Sequence, residues 1–165
     1  ETAGGVEASQ SRVFGGRTAF QPALVALDEE RAVVLCRDAG TWQRVSMART
    51  AEAGATWSPP QPSGLPNPNS GLDALRLPDG RLLLVFNDSE ISRHILRVAL
   101  SRDDGQTWSR AATLADEAGA EFSYPSVMQS RDGLVHVAYT WKRQAIRHVT
   151  FNLAWLDARA KGQSP

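Results

Sequence analysis

Eight residues, Ser101-Arg102-Asp103-Asp104-Gly105-Gln106-Thr107-Trp108, spell a complete turn, and an imperfect copy, Thr50-Ala51-Glu52-Ala53-Gly54-Ala55-Thr56-Trp57, lies 51 positions earlier. Both keep a hydroxyl, an acid, Gly, Thr and Trp at the same spacing. A repeat at that interval restricts the fold more than any average property of the chain. An acid two residues before Gly accepts bonds from turn N–H groups, Gly takes positive φ cheaply, and Thr-Trp re-enters a strand with the indole free to pack between sheets. The acid recurs as Glu52 inside a second turn, so these carboxylates read as staples of hairpins rather than as a reactive pair.

The segments around the turns repeat as well. Pro22 to Leu27 is a short apolar run, Asp28-Glu29-Glu30 a polar turn, and Ala32-Val33-Val34-Leu35-Cys36 a second apolar run, followed by Trp42 to Arg49. A fourth edge strand is expected after Trp57, and Pro59 to Pro66 is expected to break regular structure. The order then recurs as Leu72 to Leu77, Pro78-Asp79-Gly80, Leu82 to Phe86 and Ile95 to Leu100. It recurs again as Tyr124 to Gln129, Arg131-Asp132-Gly133, Leu134 to Tyr139 and Ile146 to Phe151. Aligned on Arg31, Arg81 and Leu134, the second strands start 50 and 53 residues apart. Asn152 to Lys161 reads as a short turn or helix.

Units of about four strands every ~40–50 residues are the mark of a β-propeller. The predicted fold is all-β: three antiparallel blades at about residues 19–63, 69–115 and 122–160, after a flexible lead-in over 1–18, with a sandwich or barrel of about ten strands as the alternative. Three blades do not close a ring of ~4–8. The open edges therefore call for further N-terminal blades or self-association.

Composition narrows the partners. Lys plus Arg and Asp plus Glu each number 18, so net charge favours neither nucleic acid nor an anionic membrane, and points to a small or neutral partner. Cys36 is the only cysteine, which excludes an intramolecular disulfide and a thiolate cluster, and its apolar setting reads as core. His94, His136 and His148 lack metal-ligand spacing, and no metal or cofactor is expected. No run approaches the ~18 apolar residues of a membrane span. The start, Glu1-Thr2-Ala3, has neither Met nor the order of a signal peptide, and reads as a processed or partial chain.

Repeat registration locates the chemistry. Ten residues before the aligned starts lie Gln21, Gly71 and Tyr124, and six residues after them lie Arg37, Asn87 and Thr140. In an antiparallel hairpin the beginning of one strand and the end of the next share an end, so all six belong to one rim. The repeated turns connect other strands and belong elsewhere.

Ser101 to Trp108 matches the Asp-box, Ser-x-Asp-x-Gly-x-Thr-Trp, of the sialidase (neuraminidase) superfamily and its bacterial neuraminidase repeats. Leu65 to Ala74, Ser123 to Val127 and Tyr139 to Arg143 also resemble the C-terminal half of sialidase-like proteins, over about residues 20 to 152. The resemblance implies part of a six-bladed propeller binding an anionic sugar. Sialidases hold the substrate carboxylate with three arginines and attack with a Tyr activated by a Glu, with an Asp as acid/base; a phenol suits an anionic sugar. Arg37 then matches the second arginine, Arg93 the third, and Tyr124 the nucleophile. Asn69 and Asp73, around Gly71, become candidates for sugar hydroxyls. Gln21 stands where the activating Glu is expected, and an amide cannot take the phenol proton. The first arginine and the acid/base Asp have no counterpart here. The resemblance thus implies a fragment inactive alone, with a non-catalytic glycan-binding or scaffold propeller as the alternative.

Overall fold

The computed structural model describes residues 18–162. The expected lead-in lies outside the described residues apart from Thr18. Strands β1 (Ala19–Ala26), β2 (Ala32–Asp38), β3 (Arg44–Thr50) and β4 (Gln61–Pro66) form one sheet in that order. A second holds β5 (Asp73–Arg76), β6 (Leu82–Asn87), β7 (Ile95–Ser101) and β8 (Ser109–Asp116), and a third holds β9 (Phe122–Gln129), β10 (Val135–Trp141) and β11 (Ala145–Phe151). Every ladder is antiparallel. The helix α1 (Leu153–Gly162) follows, its first turn capped by Asn152 Oδ1, which accepts the Trp155 N–H at 2.8 Å.

Each sheet opens with a hairpin turned by an aspartate. Asp28 Oδ1 accepts the Arg31 N–H at 2.7 Å, Asp79 Oδ1 the Arg81 N–H at 3.1 Å, and Asp132 Oδ1 the Leu134 N–H at 3.2 Å. The side chain supplies the acceptor that closes the turn locally.

Burial explains why β6 is a solid apolar run while β10 alternates. Leu82, Leu84 and Phe86 pack with Val33, Leu35 and Val45 of the first sheet, whereas Leu83 and Val85 pack with Val127, Val135, Val137 and Tyr139 of the third. The middle sheet is thus covered on both faces. In β10 only Val135, Val137 and Tyr139 are buried, since its other face has no sheet against it among the described residues. The first strands line up across the sheets, with β5 between β1 and β9. Leu156 and Trp155 of α1 join the core between the second and third sheets, and Arg81, buried, ties Asp79 to Asp157 on α1.

Two expectations about strand boundaries fail. The proline-rich stretch does not end regular structure: β4 runs through Gln61–Pro66, with Pro62 opposite Ser46 and a register shift between Arg44 and Ser46. It is an edge strand, so the missing Pro62 N–H costs no ladder bond to a further neighbour. The third strand also begins at Arg44, later than expected, because Gln43 has a φ of 53°.

The eight-residue turn is closed by its own side chains. Ser101 Oγ accepts the Gly105 N–H at 2.8 Å and donates to Asp103 Oδ1 at 2.7 Å; Asp103 accepts the Thr107 N–H at 2.8 Å and its hydroxyl at 2.6 Å; Trp108 Nε1 donates to the Gly105 carbonyl at 3.1 Å. Asp104 and Gly105 take φ values of 56° and 81°. The earlier copy repeats the scheme, with Thr50 Oγ1 accepting the Gly54 N–H at 3.1 Å and Thr56 donating to Glu52 at 2.9 Å. The turn also joins sheets: Arg31 pairs with Asp104 at 3.0 Å, and Arg49 donates to the Asp104 carbonyl at 2.5 Å.

Candidate functional site

The rim forms at the opposite end of the sheets. Pairing of Leu82 with Ser101 and of Asn87 with Leu96 puts the Asp-box turn at one end of β6 and β7, and the close of β6 at the other. Pairing of Phe20 with Arg37, and of Ser123 with Thr140, puts the beginnings of β1 and β9 at the ends of β2 and β10.

Two of these beginnings share an irregularity. Between Phe20 and Ala23, and between Ser123 and Ser126, each first strand carries one residue more than its partner. The bulge falls on Gln21-Pro22 in one sheet and Tyr124-Pro125 in the other, and Gln21 and Tyr124 take φ values of 50° and 52°. Proline fits because a bulged residue has no ladder bond to give, and the bulge re-aims the side chain before it. A left-handed non-glycine residue costs on the order of 1–3 kcal/mol, which surrounding packing must offset.

Gly71 sits between the two. A methyl group built on it would lie 3.2 Å from Gln21 Oε1 and 3.2 Å from Tyr124 Cδ1. The three residues placed in register by the repeat therefore meet.

Around Tyr124 the charges gather. The Arg93 guanidinium lies over the Tyr124 ring, 5.3 Å from its centroid, and donates to the Asn69 carbonyl at 3.2 Å and to Glu121 at 3.3 Å. The Arg93 guanidinium, first as a donor and then as a charge, holds the Tyr124 phenol below its ordinary value. The Arg37 charge adds to the effect and the Glu121 carboxylate opposes it. Tyr124 is 48% exposed, so its phenol faces solvent at the rim.

Arg37 differs from Arg93. Its Nε is buried and has no hydrogen-bond partner among the described residues. The carboxylates that sequence places near it are engaged elsewhere. Asp38 accepts the Trp42 N–H at 3.2 Å, Asp88 is bound by Arg97 and by Arg110 at 2.6 and 2.8 Å, and Asp73 accepts the Ala74 and Val127 N–H groups at 2.9 and 2.8 Å.

Gln21, Arg37, Asn69, Arg93 and Tyr124 thus share the rim. Asn69 turns its carbonyl, not its amide, to Arg93. The Asp73 carboxylate ties β5 to β9. Beneath the rim, buried Asn87 accepts the Ser70 hydroxyl at 2.7 Å and donates to the carbonyls of Ile95 and Phe122 at 3.0 and 2.8 Å, fixing both strands that flank the site.

Sequence reasoning missed Glu121. Its Oε1 accepts from Ser123 at 3.0 Å and pairs with Arg93; its Oε2 pairs with Arg143 at 2.8 Å. Burial alone would raise its carboxyl, but hydrogen bonds from Arg143 and Ser123 and the two arginine charges outweigh that and hold it below the usual range. The signal was its place three residues before Tyr124 at the same strand beginning. Lys142, beside Arg143, is tied to Glu117 at 2.6 Å. No cluster of three His, Cys, Asp or Glu residues suited to a metal occurs among the described residues.

Comparison with known proteins agrees with this architecture. A family model described as a BNR repeat-like domain matches residues 2–137. No curated protein matches the sequence. Among solved structures, the leech intramolecular trans-sialidase is similar at 15% identity and a TM-score of 0.66, over 87% of this chain and 24% of that one. The NanB sialidase of Streptococcus pneumoniae is similar at 14% identity and a TM-score of 0.64, over 82% and 23%. The GH93 α-L-arabinofuranosidase of Fusarium graminearum is similar at 17% identity and a TM-score of 0.64, over 82% and 45%. At these identities the likeness is one of fold, that of sialidase-like and GH93-like glycoside hydrolases. The chain spans about a quarter of the two sialidases and under half of the arabinofuranosidase.

Proposed function

The chain belongs to the BNR repeat-like domain family, and on that premise we propose that its rim is part of a pocket for an anionic sugar. The observation that carries the reading is the convergence of Arg37, Arg93 and Tyr124, with a buried Arg37 nitrogen that has no partner among the described residues. Guanidinium groups grip a carboxylate with two parallel bonds, and burial of part of Arg37 limits the competition from water. A phenol beside two cations ionises more readily, which suits Tyr124 as a nucleophile toward a sugar held by its carboxylate. The carboxylate is the sialidases' feature; the arabinofuranosidase similarity extends the ligand class to sugars in general.

Gln21 sets the limit of the chemistry. By the resemblance it stands where the activating Glu is expected, and an amide cannot take the phenol proton; it flanks Gly71 opposite Tyr124. The chain alone is accordingly read as inactive, and Gln21 favours a second reading, a non-catalytic glycan-binding propeller. The exposed strand β11 is read as an edge to be covered by further blades or by self-association.

A sialidase assay of a longer chain carrying further blades, with Tyr124→Phe and Gln21→Glu variants, separates enzyme from binder. Catalysis predicts activity abolished by Tyr124→Phe and raised by Gln21→Glu. Activity indifferent to Tyr124→Phe removes the nucleophile assignment.

A further inference from the structure

Glu121 is a rim carboxylate outside the three side chains read as receiving the sugar, and it pairs with one of them, Arg93. It is half-buried just before β9 and held from several sides: Arg93 from the loop before β7, Arg143 from the turn after β10, and Ser123 at the start of β9. Its backbone is fixed too, because its carbonyl accepts the Lys142 N–H at 2.8 Å. Lys142 and Arg143 both take left-handed φ values, 53° and 54°, so the turn that presents Arg143 to Glu121 is a strained one. We propose that Glu121 is a specificity-determining residue, an internal counter-ion that occupies Arg93 and Arg143 and competes with the carboxylate of an anionic sugar. The inference rests on the reading of the rim as a sugar site.

Arg93 already has a carboxylate at 3.3 Å, while the Arg37 Nε has no partner among the described residues. A ligand carboxylate reaching Arg93 must share that guanidinium with Glu121 or displace it, and two carboxylates brought together repel. A neutral sugar meets no such penalty. Discrimination by an unfavourable element is a common device of selective sites, and here it sets how much negative charge the rim accepts.

The test compares the wild-type chain with Glu121→Gln, which keeps the shape and one acceptor and removes the charge. Calorimetric titration with N-acetylneuraminic acid is expected to show affinity about tenfold higher in the variant, with binding of L-arabinose unchanged. A second readout needs no ligand. The phenol of Tyr124, faced by Arg93, Arg37 and Glu121, is expected to titrate lower in Glu121→Gln, because the opposing carboxylate is gone. Wild-type binding of the acid with equal or weaker binding by the variant, or an unmoved phenol, overturns this inference alone. No binding of the acid by either protein overturns the sugar reading and this inference with it.

Discussion

The Arg93 guanidinium stacks over the Tyr124 ring at 5.3 Å, joining the loop before one sheet's third strand to the first strand of the next sheet. That contact turns a repeat of hairpins into a site, because it brings a cation to a phenol 31 residues away in sequence.

The first consequence is spectroscopic. The chain has two tyrosines. Arg93 holds the Tyr124 phenol below its ordinary value, while burial pushes the Tyr139 phenol up, with Arg147 offsetting part of the rise. Tyrosinate absorbance is therefore expected to rise in two steps with pH. Tyr124→Phe removes the earlier step, and Arg93→Ala moves it upward because a cation favouring phenolate is lost. A single step, or loss of the later step in Tyr124→Phe, contradicts the arrangement.

The second concerns the Asp-box. The Asp103 carboxyl is held at about 2 by the Thr107 hydroxyl first and the Thr107 N–H next. Its unfolded value is about 3.9, so the folded state binds the proton less well. This contribution to stability is fully present above about pH 4 and is lost as pH falls toward about 2. Asp103→Ala is expected to lower stability by about 1–3 kcal/mol at neutral pH and to flatten that acid-side loss, as read from denaturation midpoints. Sugar binding at the far rim should be unchanged.

Asn87 is the third point of test. Its side chain is fully buried and joins Ser70, Ile95 and Phe122. Asn87→Ala leaves several polar groups unsatisfied and is expected to cost about 2–4 kcal/mol. A change within about 0.5 kcal/mol, the range of ordinary surface substitutions, contradicts its role as the tie beneath the site.

Gly71→Ala probes the space between Gln21 and Tyr124. The added methyl meets the end of the flexible Gln21 side chain on one side and the Tyr124 ring on the other, each at 3.2 Å, so the expected stability loss is about 1–3 kcal/mol. The Tyr124 phenol should shift, because its ring must move against Arg93. A phenol titration identical to wild type shows that Gly71 does not set the ring's place.

Much of this arrangement is legible in the sequence. The spacing from Asp103 to Trp108 is a local code, closed by neighbours within four residues, and the intervals between Arg31, Arg81 and Leu134 carry the register to the rim. The bulges are less legible: a period-two reading sees strand runs that open at Pro22 and at Tyr124 and misses the extra residue that re-aims Gln21 and Tyr124. A fourth edge strand is legible after Trp57, but its place in Gln61–Pro66 is not, because proline chemistry argues against strands in general and only the edge position permits it. Glu121 lies in a small-residue loop, and its partners Arg93 and Arg143 come from distant positions that no local pattern connects.

The central claim is that Arg37, Arg93 and Tyr124 together receive an anionic sugar. Nuclear magnetic resonance titration with N-acetylneuraminic acid tests it most directly. The account predicts shifts concentrated at Gln21, Gly71, Arg93 and Tyr124, saturating with ligand and abolished in Arg37→Ala. Shifts centred on Ser101 to Trp108, or binding undiminished in Arg37→Ala, contradict it.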